Sequence, residues 1–294
     1  MMIILKKLLC GVIPSSKLRK RARNHLKKKK EKNENRRIGA SYSVWDGEEL
    51  LEASIKSIRD NVSYINVVWQ RLSWHGNACN EGLLDLLNDL LNKGLIDELI
   101  EWEPDLSGKI SHNQNELNKR NVGLDYIKKS KCAYFLKMDT DEFYEHSEFK
   151  KAINFVFEHK ITHSFINQIL YYGMPTYRKI EMADFHMPFL YKINIHSRLT
   201  IPSTDIFPVR IDPSHHMELL PSSKLYIFSA GEFQMHHMAG VRKNFHRKIF
   251  NSSVLNKDTE STLKMMATDY GSISSENYKD KGFTDVANTF KISI

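Results

Sequence analysis

From residue 37 onward the hydrophobic positions of this chain change period in a regular alternation. Ile38-Gly39-Ala40-Ser41-Tyr42-Ser43-Val44 is a run of apolar and small residues, the pattern of a strand buried on both faces. Glu48 to Arg59 then places Leu50, Leu51, Ile55 and Ile58 at helical spacing. Ile65 to Trp69 reads as a second strand, and Leu83 to Leu91 as a leucine-rich helix stopped by Lys93-Gly94. Leu95 to Ile100 predicts a short third strand. His112 to Lys129 predicts a helix with Leu117, Val122, Leu124 and Ile127 inward, and Ala133 to Met138 a fourth strand.

Units of ~30 residues that alternate strand and helix predict right-handed crossovers. The expected fold is therefore α/β, a mostly parallel central sheet with flanking helices. After Tyr144 the rhythm changes. A helix is expected over Ser147–Glu158, then aromatic-rich strands at Phe165–Tyr172, Pro188–Ile195, Lys224–Phe228 and Phe233–His237, and a helix over Val241–Asn256. Beyond Ser261 the chain is polar and poorly periodic, which predicts loops and at most one short helix. The organisation expected is a tail (1–36), a main domain (37–256, dividing near 145/146 into a nucleotide-type half and an irregular acceptor-side half) and an extension (257–294).

With 294 residues, 41% of them hydrophobic, the chain has ample material for a core. Charge divides it. Residues 1–37 carry fourteen Lys/Arg and two acids (Glu31, Glu34), whereas the other 257 residues carry 29 basic and 33 acidic side chains. A basic nucleic-acid groove running through the fold is excluded by that balance, so no specific nucleic-acid partner is expected. Met1 to Ile13 is apolar but interrupted by Lys6 and Lys7 and stopped at Pro14. It falls short of the ~20 residues of a membrane span. Its main basic cluster, Lys17 to Arg37, follows the apolar stretch instead of preceding it as in a secretory signal. A short apolar segment followed by basic clusters predicts an interfacial anchor on an anionic membrane surface through residues 1–37, with the protein cytoplasmic and peripheral to the inner face of the cell membrane. The plainer alternative is a solvated basic tail. Cys10, Cys79 and Cys132 lack metal-ligand spacing and read as free thiols.

The chemistry concentrates at Asp139-Thr140-Asp141-Glu142, where the fourth strand ends. Two carboxylates one residue apart, leaving a buried strand, repel each other unless something cationic stands between them. Hard oxygen ligands suit Mg²⁺ or Mn²⁺. In parallel sheets ligands bind beyond the carboxyl ends of the strands, where these acids lie. Late in the chain His236-His237 follows a strand-like stretch; alternation sends the two rings to opposite faces, so one of them, preferably His237, reaches the acids. His215-His216 is a second such pair.

These residues resemble the GT-A fold glycosyltransferases, family-2-like, with a DxD motif at Asp139-Thr140-Asp141. Ser41-Tyr42-Ser43-Val44-Trp45-Asp46-Gly47-Glu48 looks like the family's first strand and loop, Val67-Val68-Trp69-Gln70 like its second strand, and Lys119-Arg120-Asn121-Val122-Gly123-Leu124 like the helix before its metal-binding strand. The resemblance implies a metal-dependent enzyme moving a sugar from a nucleotide-sugar, by expectation a UDP-sugar, to a glycolipid or cell-surface polysaccharide acceptor. It implies donor contacts at Ser41, Ser43, Asp46, Gln70, Arg120 and Asp139, with Lys119 nearby. It further implies Mn²⁺ or Mg²⁺ held by Asp139, Asp141 and His237 or His236. An inverting reaction needs a base for the acceptor hydroxyl; Asp184, Asp205, Asp212 and Glu218 are candidates that no motif separates. Trp69, Trp74, Tyr171, Tyr172 and Tyr177 are candidates for stacking on base or sugar. A phosphatase of the Asp-x-Asp type would place the pair after the first strand. A nucleotidyltransferase would need a Gly-rich, Arg-containing loop that Gly39-Ala40-Ser41 does not supply. A non-enzymatic polyanion binder acting through its tail would leave the strand-end acids unexplained.

Overall fold

The computed structural model describes Asn24 and residues 34–201, 209–212, 215–255 and 258–293. Nearly all of the basic tail, and the base candidate Asp205, lie outside these residues. The first four strands, β1 (Ile38–Val44), β2 (Tyr64–Trp69), β3 (Glu98–Glu101) and β4 (Tyr134–Met138), are joined in parallel in the order β3-β2-β1-β4. Between them run α1 (Glu48–Ile58), α2 (Leu83–Asn92) and α3 (His112–Lys129). The period change read from the sequence is therefore what the backbone does.

Strand alternation sorts the core into two layers. Tyr42, Leu136 and Met138 pack with Leu51, Ile55 and Leu87 of α1 and α2 on one face, whereas Phe135 packs with Leu117, Leu124 and Ile127 of α3 on the other. α4 (His146–Glu158) joins the first layer through Phe149, Ile153 and Val156. The Ser111 hydroxyl caps α3 by accepting from Gln114 N at 3.1 Å, which satisfies one of the otherwise unpaired first-turn amides. Gly123 lets α3 lie close on the sheet: a Cβ there would stand 2.0 Å from the Ser41 hydroxyl.

Beyond β4 come β5 (Glu142–Phe143), β6 (His163–Tyr172), β7 (Tyr177–Lys179), β8 (Met187–Lys192), β9 (Leu199–Thr200), β10 (His216–Met217), β11 (Leu225–Ile227), β12 (Gln234–Gly240) and β13 (Phe283–Asp285). β8 and β6 extend the sheet antiparallel from β4, and β11 and β12 then run parallel to β6. The whole is a large curled sheet with flanking helices, consistent with a GT-A-like fold. One helix differs from expectation in extent. α5 (Phe245–Phe250) is six residues because β12 runs on to Gly240 and Asn244 caps the helix, its side chain accepting from Arg247 N at 2.9 Å. α6 (Glu260–Gly271) is the one further helix allowed for beyond Ser261, at twelve residues; Ala267 is its one buried residue, so no apolar stripe marks its bounds in the sequence. Leu95 and Ile96 close α2 rather than start β3, both amides turning back to Leu90 O. Cys79 and Cys132 are unpaired thiols. Among the described residues no helix is long and apolar enough to cross a membrane.

Candidate functional site

The five residues of β4 are buried, and the chain leaves them in a turn at the carboxyl edge, with Glu142 N donating to Asp139 O. β5 then pairs antiparallel with β12, setting His237 opposite Glu142 and His236 opposite Phe143. Met238 N donates to Asp141 O at 2.8 Å. A strand from a hundred residues downstream thus fixes the turn that carries both acids.

Asp141 is buried, 1% exposed, among three basic side chains. Arg242 Nη2 donates to its Oδ2 at 2.7 Å, Lys248 Nζ donates to the same oxygen, and His237 Nε2 stands 3.5 Å from Oδ1. Burial alone would raise its pKa, but Arg242, Lys248 and His237 outweigh this and hold the carboxyl well below its ordinary value. Asp139 is half-exposed, and Arg120 Nη2 donates to both its oxygens at 2.8 and 3.0 Å. Arg120 also donates through Nε to Glu116 at 2.8 Å. Burial opposes the Glu116 charge, yet Arg120 and His215 prevail and bring it down to about 2. Glu142, the third acid of the motif, goes the other way. Burial and the neighbouring Asp139 push it up to about 8, and its Oε2 accepts from Asp139 N at 3.0 Å. Within one turn, then, burial and neighbours push the two buried acids in opposite directions, Asp141 down and Glu142 up.

The loop after β1 forms the opposite wall. Asp46 faces Arg242 at 3.4 Å and Arg247 at 3.5 Å, and Arg247 lies over the Trp45 ring at 4.4 Å. Gly47, at φ 81°, makes this approach possible, since a Cβ would stand 2.3 Å from the Thr140 hydroxyl and 2.5 Å from Arg242. A cavity of about 200 Å³ opens between these groups, bounded also by Ser43, Trp74, Lys119, Ser252 and Ser253. Lys119 is 1% exposed, donates to Val44 O at 2.9 Å and lies 5.6 Å over the Trp74 ring. Burial, then Arg120, holds its pKa well below the usual lysine value.

The structure gathers Ser43, Asp46, Arg120, Asp139 and Asp141 on one cavity. Ser41 lies just beneath, against Gly123. Gln70 is buried away from the cavity, donating to Leu72 O at 2.7 Å. The two late histidines separate as strand alternation requires: His237 meets Asp141, while His236 Nδ1 bonds the Tyr171 hydroxyl at 2.8 Å. Of the base candidates, Glu218 lines a cleft elsewhere, Asp184 pairs at the surface with Arg210, and Asp212 lies by His186 and His216, its amide 2.9 Å from His186 O. Neither Asp212 nor Glu218 lines the cavity. His215 sits behind the site, bonded to Asn113 and 3.9 Å from Glu116. Trp74 is in the cavity wall, whereas Trp69, Tyr171, Tyr172 and Tyr177 pack elsewhere, Tyr172 on Tyr270 and Tyr177 on Tyr278. Sequence reasoning missed Glu116, Arg242, Arg247 and Lys248. The signal for the last three was the basic run Arg242-Lys243-Asn244-Phe245-His246-Arg247-Lys248 directly after the His236 strand.

No protein-family model matches the sequence, and no curated protein matches it significantly. Among solved structures, S. aureus TarS aligns with a TM-score of 0.43 at 12% identity, over 82% of this chain and 44% of that one. TarS 1–349 in complex with UDP gives 0.43 at 10% identity, over 83% and 78% of the two chains. The complex of the same fragment with UDP-GlcNAc gives 0.40 at 13% identity, over 82% and 77%. The chain thus spans less than half of the first of these proteins, and similarity of this order assigns no family.

Proposed function

We propose that the chain is a glycosyltransferase that moves a sugar from a nucleotide-sugar, a UDP-sugar, to a glycolipid or cell-surface polysaccharide acceptor. The observation that carries this reading is the strand-end pair Asp139/Asp141 bonded directly to Arg120, Arg242 and Lys248 in the wall of one cavity. Departure of a nucleoside diphosphate builds negative charge on its leaving oxygens, and buried, preorganised cations stabilise charge where it develops. Arg242, buried, and Lys248, half-buried, line the cavity while bonded to Asp141, so an arriving diphosphate would meet cations already held in place. Asp139, held by Arg120, would accept from ribose hydroxyls in this reading.

For a divalent ion, Mn²⁺ or Mg²⁺, the cavity offers two ligands, Asp141 and His237; among the described residues no group of three His, Cys, Asp or Glu side chains is gathered to hold one, so the remaining positions would fall to the diphosphate and water. Two ligand atoms on one ion, each ~2.1 Å from it, stand about 3.0–3.5 Å apart. Asp141 Oδ1 and His237 Nε2 are 3.5 Å apart, and Oδ1 is the oxygen that Arg242 and Lys248 leave free. An imidazole in the set favours Mn²⁺ over Mg²⁺. Bound there, the ion supplies Lewis-acid stabilisation of the diphosphate. Binding of UDP and of a sugar-nucleotide panel, followed by saturation-transfer NMR with and without Mn²⁺, tests the reading. UDP affinity should rise with Mn²⁺ and lose that response in His237→Ala. Affinity indifferent to Mn²⁺ and to Asp141→Asn would remove the mechanism.

A further inference from the structure

At the other end of the sheet a cleft of about 410 Å³ opens between the start of β6 and the chain around β9 and β10. β4 begins there at Tyr134, paired with Lys192 at the end of β8, and β1 begins opposite Tyr134. The basic segment 1–37 therefore joins the folded body at this edge. Backbone bonds from Lys192 N to Thr162 O (2.8 Å), Thr162 N to Lys224 O (2.9 Å) and Ile193 N to Ala133 O (2.9 Å) hold four segments side by side. They fix Lys131, Lys160, Lys192 and Lys224 to one rim, all four exposed and none with an acidic partner among the described residues. Arg198 and His196 line the cleft with the Glu218 carboxylate, and Arg198 pairs with Asp125 at 2.8 Å.

Large apolar side chains stand out of this same rim. Ile195 is 80% exposed, Leu220 53% and Ile201 47%. Ile195 lies between the lining residues Asn194 and His196, Leu220 lines the cleft itself, and Ile201 follows the lining residue Thr200. Exposed apolar residues scattered singly need no explanation. Three on one edge, ringed by lysines without acidic partners among the described residues (Lys224 Nζ donates to His159 O at 2.8 Å) and continuous with a segment carrying twelve surplus positive charges, form the composition of a surface that lies on anionic lipid.

We propose that this edge docks on an anionic bilayer, with Ile195, Ile201 and Leu220 entering the boundary between headgroups and acyl chains. The lysines face the lipid phosphates. Docking stands independently of the transferase reading. If that reading holds as well, β4 runs from the docked edge to Asp139, a rise of ~3.3 Å per residue over its length, so the donor cavity opens away from the bilayer. That geometry suits an acceptor whose growing end extends from the membrane, a polysaccharide more than a short glycolipid.

The test uses the full chain and vesicles of phosphatidylcholine with or without phosphatidylglycerol, carrying brominated acyl chains. Trp45, Trp69, Trp74 and Trp102 all lie towards the carboxyl edge, so a tryptophan introduced by Ile195→Trp reports separately. Its fluorescence should be quenched by the phosphatidylglycerol vesicles and not by phosphatidylcholine alone. Met265→Trp, exposed on α6, should stay unquenched. Lys192→Ala and Lys224→Ala should each weaken vesicle affinity about fivefold. Vesicle binding with the Ile195→Trp probe unquenched would leave residues 1–37 as the sole anchor and overturn the proposal. Quenching at Met265→Trp, or saturable inorganic phosphate binding to the cleft without any vesicle binding, would overturn it too.

Discussion

Glu142→Gln should stabilise the protein, and the gain should grow with pH. Glu142 is 3% exposed, lies beside Asp139, and is pushed by burial and that neighbour from 4.5 to about 8, with Lys137 pulling the other way. Between those two values the native state holds a proton that the unfolded chain has released. A carboxyl raised in this way makes stability fall as pH climbs through the window. From 4.5 to pH 7, at ~1.36 kcal/mol per pH unit, the native state gives up about 3 kcal/mol. Glutamine keeps an oxygen to accept from Asp139 N and cannot ionise, so the variant avoids this loss. Wild type and variant should match near pH 4.5 and diverge by about 3 kcal/mol at pH 7, or about 6–12 °C in Tm for a domain of this size. The gap should stop widening above pH 8. Urea and thermal melts of both proteins at pH 5, 6, 7 and 8 supply the comparison. A gap that stays constant with pH, or a variant less stable at pH 7, would refute the assignment of a neutral acid beneath the Asp139/Asp141 pair.

Asp141 has the opposite sign: its carboxyl is held below the ordinary value, so its contribution is present at neutral pH and lost as pH falls towards the folded value, and Asp141→Asn should flatten acid-induced unfolding below pH 4. Arg242→Met leaves Asp141 buried with only Lys248 and His237 and removes a partner of Asp46, a loss of about 2–4 kcal/mol measurable in urea melts. Lys248→Ala, on a half-buried side chain at the end of a short helix, should leave the fold intact and weaken UDP binding about tenfold by calorimetry. Gly123→Ala drives a Cβ to 2.0 Å from the Ser41 hydroxyl and should destabilise by about 1–3 kcal/mol, with Ser41→Ala restoring part of the loss.

The amino-terminal half was legible because its signals are local. Burial on both faces makes β1, β2 and β4 continuous apolar runs, and Lys93-Gly94 and Ser111 punctuate the helices between them. Asp139 and Asp141 could be placed at a sheet edge because the strand before them was unmistakable. The rest of the cavity was hidden because it is assembled by pairing, and no local period records which strand β12 will join. Lys119 and Arg120 were visible as charges but not as buried ones, since what buries them is Trp74 and a segment after residue 240. α6 had no apolar stripe to fix its bounds because Ala267 alone is buried on it, and Gln70, directly after β2, turns inward.

The β5–β12 pairing has a consequence for how the cavity comes into being on a growing chain. The acids emerge from the ribosome at residues 139–141, but His237, Arg242 and Lys248 emerge a hundred residues later, a delay of roughly 5–20 s at ~5–20 residues per second. During that interval the β4 edge carries adjacent carboxylates with Arg120 as the cation bonded to Asp139, and the partners of Asp141 not yet made. Chains interrupted before residue 240 would expose a sheet edge that β12 is meant to cover, inviting pairing with other chains. Completion of the cavity therefore falls on residues 234–248, and nonsense or frameshift changes before Lys248 should abolish the site as completely as loss of Asp141 itself.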